Sequence, residues 1–416
     1  MQRFQNRDGG RISARRQAVG AVLALACAMA TAQAESTGAA GQGSRVTAHR
    51  LLASDGGQGR LWVTDLDTGR LLSTFRLASP ARLARGASGR YVHALQAEAA
   101  RIAVIDSGIT LDDHGDHADI AITPPRLLAA RLDGPKPAHF NADSTQVAAF
   151  FDGSGSAQVI AEADLVSGRM ASLRRIETGL AHHGVAKPVG RFIAVSVASA
   201  GETLPVAVEL RDRQGRASQR IACPRLHGEA TTVRFTGFGC ADGIALYEVG
   251  RGTPAARHIA YGSALPAGRM VRSLSGAAGF AFFAGDFGAD GLVVIDPTKA
   301  DGDMRFIQLP GRRVHFALHP ATGDRLFVLI EDGRVLTINP LTGATTHERA
   351  VLGRVALDGS SPRPRLTASG PYLAISDPAA RMVVVLDAET LAEKRRIAFD
   401  GEPIDILAVG GSGQRH

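Results

Sequence analysis

The chain has 416 residues, of which 47 are basic, 40 acidic and 5% aromatic. Five arginines and one aspartate fall in the first 34 residues, leaving 42 basic against 39 acidic side chains beyond them, a net charge of +3. That balance gives little support to nucleic-acid binding, and no later run is apolar over the ~20 residues that a membrane helix needs.

In chain order, "MQRFQNRDGGRISARRQ" supplies a basic start and "AVGAVLALACAMATAQA" an apolar stretch ending in a small-residue cleavage site. Residues 1–34 therefore read as a cleaved secretory leader that sends the chain to the periplasm. The twin arginines Arg15 and Arg16 lack a large apolar residue behind them in "RRQAV", which favours the Sec route over Tat. Cys27 precedes the cleavage site without a lipobox. Residues 35–45 read as a flexible mature N-terminus.

From residue 46 onward, short β-branched runs recur, each closed by an Asp, Asn or Gly turn. "RLWVTDLDTGRLLSTFRL", "RIAVIDSG", "QVIAEADLVSGRMASLRRI" and "VAVELRDRQGRASQRI" follow one plan, and four later segments repeat it down to "VVVLDAETLAEKRRIAF". Each couples a buried strand, a polar turn and a more exposed strand, and upstream sits another couplet such as "GRYVHALQ" or "DRLFVLIED". Four strands in each unit of roughly 45 residues is the signature of propeller blades. Turn positions Asp65, Asp106, Asp164, Arg211, Glu248, Asp296, Asn339 and Asp387 mark eight units. The expected fold is all-β: one β-propeller of eight four-stranded blades over 46–410, with seven as the alternative count. "EPIDILAVGG" supplies the inner strand that closes the first blade, and 411–416 follow as a disordered tail. A pair of β-sandwiches is the competing architecture, and the regular spacing argues against it.

"DDHGDHAD", Asp112 to Asp119, crowds two histidines and four carboxylates together. His114, Asp116 and His117 fit a transition-metal site of imidazole and carboxylate ligands, with Gly115 permitting the tight turn. A solvated acidic loop and a calcium loop are the alternatives, the latter spoiled by the two imidazoles. Histidines also recur just before successive inner strands: His139 in "KPAHF", His182 and His183 in "LAHHGV", His227 in "RLHGE" and His315 in "RRVHFALHP". Inner-strand entries converge on the central channel, so a rim histidine such as His183 or His139 can complete a site begun by the loop. A histidine at such a place can equally be a hydrogen-bonded core residue. His49 and His93 read as structural, and His258, His347 and His416 as surface residues. Cys223 and Cys240 are expected to form a disulfide in an oxidising compartment, against a zinc site that pairs Cys223 with His227. No G-x-S-x-G elbow, H-E-x-x-H or P-loop occurs, and aromatic platforms for sugars are scarce.

Together, the leader, the blade pattern, "DSGITLDDHGDHADI", "GPKPAHF", "HHGV", and "CPRLHGEA" with "GFGCADG" resemble the AztD family of periplasmic zinc metallochaperones. The resemblance implies a Zn²⁺ carrier rather than an enzyme, delivering zinc to the periplasmic solute-binding protein of a zinc ABC importer. A monomer is expected. The alternative readings are a periplasmic propeller scaffold that binds another protein without metal and, behind it, a lactonase- or lyase-like propeller enzyme. It implies His114, Asp116 and His117 as zinc-site residues, completed by His183, His139, His182 or His227, with His183 preferred within its pair. A shell of three histidines and one carboxylate is expected, and the Cys223–Cys240 pairing is a family feature. The N-terminal segment here offers only His49, and Ala118 departs from a more histidine-rich loop.

Overall fold

Segments such as Tyr91–Gln96 and Arg101–Asp106 are apolar on four of six residues, and both faces are buried. They are second and third strands of a blade, sandwiched between neighbours, whereas the outer strand Thr345–Ala350 exposes all six residues to water. The structure, a computed structural model, describes residues 44–415 apart from Ala278 and Ala300. Its strands form eight sheets around a ring, seven antiparallel ones of four strands and one of six that includes a single parallel pairing. This is the eight-bladed propeller that the turn spacing predicts.

The ring closes through packing as well as topology. One apolar cluster sits at each blade–blade boundary, from Leu61 and Val63 against Val92 and Ile105 between blades one and two round to Val383 and Val385 against Leu51 and Trp62 between blades eight and one. The C-terminal strand Pro403–Arg415 is the inner strand of blade one and pairs antiparallel with Ser44–Asp55. Joining the two chain ends in one sheet makes opening the ring cost a whole strand ladder.

Three expectations need correction. The tail is strand through Arg415, paired with residues from Ser44 onward, rather than disordered from 411. Its Gly/Ser composition reads as disorder, but Gly413 has no side chain to collide with Ala118 and Ile120, which pack directly on it. The flexible N-terminus gives way to strand at Ser44; the leader and residues 35–43 lie outside the described residues. Asp164, expected in a strand-to-strand turn, lies in the five-residue helix Glu162–Val166 of blade three. Glu162 in that helix is buried and accepts the Ala87 and Ser88 N–H groups, tying blade three to blade two.

Candidate metal centres

Inner strands all begin at one end of the ring, so their first residues crowd around the channel there. His139 is the third residue of Pro137–Ala142, the inner strand of blade three, at a bulge between Pro137 and His139 that re-aims its ring. His183 precedes Ala186–Val189 in blade four, and His227 precedes Glu229–Thr231 in blade five. His139 and His183 meet, and the His227 ring approaches the pair without closing on it. His139 Nε2 lies 3.2 Å from His183 Nε2, and the His227 ring centroid is 5.3 Å from that of His183 and 6.3 Å from that of His139.

Each ring is fixed through its other nitrogen. His139 Nδ1 lies 3.0 Å from Glu229 Oε1, His183 Nδ1 2.6 Å from Asp152 Oδ2, and His227 Nδ1 2.6 Å from the Arg272 carbonyl oxygen. With acceptors on all three Nδ1 atoms, the protons sit there and the Nε2 lone pairs remain for a metal. This is the outer-shell arrangement that orients metal-binding histidines. Burial would raise the Glu229 pKa, but His139, Lys187 and an Asn141 N–H hold it down at about 2. Burial opposes charge on His139 too; the Glu229 carboxylate outweighs it and raises the imidazole pKa. His227 moves the other way, lowered by burial and by the two neighbouring imidazoles despite its bond to the Arg272 carbonyl.

Local sequence explains the placement of His227. The Cys223–Cys240 disulfide is formed and joins the exit of blade four to the second strand of blade five. Cys223 is therefore no zinc ligand. Between the bridge and the ring, His227 N–H donates to the Gly239 carbonyl, and Gly228 adopts φ +79°. A Cβ on Gly228 would come 2.7 Å from the Arg272 carbonyl oxygen, the same atom that holds His227.

His182 is turned away from this group. Its Nδ1 donates to the Leu180 carbonyl at 2.8 Å, and its Nε2 meets Ser196 Oγ at 2.9 Å. Adjacent residues ahead of a strand point to opposite sides, so only one of the pair reaches the channel.

The acidic loop is elsewhere. Ile109–Asp113 and Ala118–Ile122 form a hairpin inserted between the third and fourth strands of blade two. Strand direction puts that connection at the opposite end of the blades from the inner-strand entries. Four to six strand residues, about 13–20 Å, separate the two ends. The composite site expected from the sequence, loop plus rim histidine, is thus two separate clusters. The hairpin is also no loose loop: it extends the blade-one sheet beside the C-terminal strand, and Ile109 and Ile120 bury against Ala48.

At the hairpin tip, Gly115 takes φ +92° in the first position of a two-residue turn, and His114 N–H donates to the His117 carbonyl. His114 and His117 therefore face each other, rings stacked at 5.1 Å. Their carboxylate partner is Asp119: Oδ2 lies 3.2 Å from His114 Nε2, and Oδ1 3.6 Å from His117 Nε2. Asp116 instead binds His117 Nδ1 at 2.8 Å and orients that ring. The alternation of a strand signals this, because Asp112, His114, His117 and Asp119 share one hairpin face. The sequence reading missed Asp119 as a ligand candidate, and Asp152 and Glu229 as orienting groups. A third grouping of Cys240, Asp242 and His258 has its sulfur committed to the disulfide.

Fold and side chains together define an eight-bladed β-propeller with two histidine clusters suited to a soft divalent cation. No family model matches the chain. It is 36% identical over 376 residues, 89% of each sequence, to the zinc chaperone AztD of Citrobacter koseri. The crystal structure of that protein superposes with a TM-score of 0.85 at 35% identity, covering 89% of this chain and all of the other; its apo structure gives 0.84. The dihydro-heme d1 dehydrogenase NirN shares the fold alone, at TM-score 0.57 and 15% identity. The chain belongs to the AztD family.

Proposed function

We propose that this protein is a periplasmic zinc carrier. It holds Zn²⁺ on His139, His183 and His227 and passes it to the solute-binding protein of a zinc ABC importer. One observation carries the reading: three imidazoles from three consecutive blades converge with each Nδ1 already engaged. Zinc takes imidazole readily in tetrahedral sites. Three protein ligands leave a fourth position, and there an incoming ligand from the receiving protein can bind before the first histidine leaves.

The carboxylates support carriage over catalysis. The two that touch the cluster, Glu229 and Asp152, are occupied by imidazole nitrogens, so neither is set to take a proton from metal-bound water. The solvent-facing hairpin set of His114, His117 and Asp119, with Asp116 behind it, supplies a second and weaker site. Delivery to the importer's binding protein rests on family membership, and export on the leader. No helix among the described residues is long and apolar enough to cross a membrane.

The test is zinc titration of the mature protein against a chromophoric chelator, with X-ray absorption counting nitrogen ligands. Tight zinc with three imidazoles is expected. A His139→Ala/His183→Ala/His227→Ala protein that keeps full affinity would sink the assignment.

A further inference from the structure

The inner-strand entries carry a second pattern that zinc binding does not use. Blades three, four and five place His139, His183 and His227 there; blades six, seven and eight place Arg272, Arg313 and Arg365. These arginines line a cavity of about 1140 Å³ that also takes in Arg85 of blade two, His227 and His315. Its lining holds seven arginines and a single carboxylate, Asp286.

Among the described residues, only two of the seven have a carboxylate partner. Arg313 meets Asp286 at 3.0 Å, and Arg269 meets Asp290 at 2.7 Å. Arg85 donates to the Ala408 carbonyl, Arg363 reaches the Leu357 carbonyl at 3.4 Å, and the buried Nε of Arg365 has no partner. Asp405 is the acid acting on Arg365, but it accepts the Leu83 and Ile406 N–H groups. Arg225 and Arg272 make no ion pair among the described residues. His315 adds a donor: its Nδ1 accepts the Leu366 N–H at 3.1 Å, so the ring proton sits on Nε2.

Gathering this many guanidinium groups in a partly enclosed space is unfavourable unless an anion answers them. Their forks match carboxylate oxygens two at a time. The volume exceeds what one small oxyanion fills and suits a drug-sized or peptide ligand, sites for which run to roughly 300–1,000 Å³.

We propose that this cavity is a binding site for a ligand bearing several carboxylates, gripped by Arg85, Arg272, Arg363 and Arg365. The ligand would sit beside the three-histidine cluster, because His227 lines the cavity and is held by the Arg272 carbonyl. The proposal does not depend on zinc carriage, and its failure leaves that reading intact.

Isothermal titration of zinc-free mature protein with citrate, and in parallel with hexaglutamate, tests it at about 150 mM salt, where loose surface attraction is screened. Saturable binding is expected, weakened about tenfold or more by R363Q/R365Q through loss of charge-assisted hydrogen bonds. R169Q, on the far side of blade three, serves as the control and should bind like the parent. Citrate binding identifies a small polycarboxylate. Hexaglutamate binding alone, with the same arginine dependence, identifies an acidic protein segment as the source. If R363Q/R365Q does not fold by thermal melt, R272Q, with its exposed side chain, gives the same reading. No saturable binding of either probe, or an equal loss in R169Q, overturns the proposal.

Discussion

His183 Nε2 lies 3.2 Å from His139 Nε2, although the residues come from different blades and stand 44 positions apart. Two nitrogens of a tetrahedral zinc shell with Zn–N near 2.05 Å are about 3.3 Å apart, so the pair is spaced for a shared ion. His139→Ala or His183→Ala should therefore lower zinc affinity by more than the roughly 100-fold typical of the strongest outer-shell changes. His182→Ala should shift it little. Chelator competition measures all three, and an equal effect of His182→Ala would remove the distinction drawn between the two neighbours.

Glu229 acts on zinc only through His139. Glu229→Gln keeps the shape and removes the charge that favours the metal-bound imidazole. Zinc affinity should fall about 10- to 100-fold, the range for outer-shell partners, while the number of imidazoles seen by X-ray absorption stays unchanged. Loss of an imidazole from that spectrum would show that Glu229 builds the site rather than tunes it.

The two clusters occupy opposite ends of the strands and share no residue, so their contributions should separate. His114→Ala/His117→Ala should remove the weaker zinc equivalent and leave the tight one. Equilibrium dialysis over a range of zinc concentrations reads both. If the tight equivalent disappears instead, zinc is carried on the hairpin.

The Cys223–Cys240 bridge closes a short loop that bears His227 close behind Cys223. A loop of this length is worth about 3 kcal/mol by the chain-entropy argument. Cys223→Ser/Cys240→Ser should lower unfolding free energy by about that amount and also weaken zinc binding, because His227 loses its anchor. Denaturant melts with and without zinc separate the two effects; an unchanged zinc increment would detach the bridge from the site.

Much of this architecture is legible in the sequence because blade repeats announce themselves locally. Alternating buried couplets and Asx turns recur at a fixed period, and Asp65, Asn339 and Asp387 do accept the N–H groups of their own turns. Closure by "EPIDILAVGG" is legible for the same reason: the first blade lacks an inner strand. The histidines are legible as candidates. Their grouping is not, since spacing along a chain does not say at which end of a strand an insertion emerges. Once "DDHGDHAD" is placed between the third and fourth strands of blade two, strand direction alone parts it from His139 and His183. Asp152 and Glu229 escaped for another reason: an orienting carboxylate has no motif of its own and is visible only as a distance.

Asp106 anchors the base of the hairpin. Its carboxylate accepts Arg90 at 2.8 and 2.7 Å, Arg126 at 3.0 Å and the Gly108 N–H at 2.9 Å. Gly108, at φ +76°, could not carry a Cβ without striking the Thr123 carbonyl. Burial would raise the Asp106 pKa, but the two arginines and the amide hold it at about 2, below its ordinary value of 3.8. The folded state thus keeps the carboxylate charged where the unfolded chain would protonate it. The stabilisation is complete above pH 3.8 and is lost as pH falls toward 2. Arg126 is largely exposed, so solvent screening reduces the gain to about 1–2 kcal/mol. Asp106→Asn should be less stable by that amount at neutral pH, and the gap to the parent should narrow through the acid range. Hydrogen exchange at Thr110 and Ala121 should quicken in the variant before the blade cores respond. A gap independent of pH would mean that Asp106 acts by shape rather than by charge.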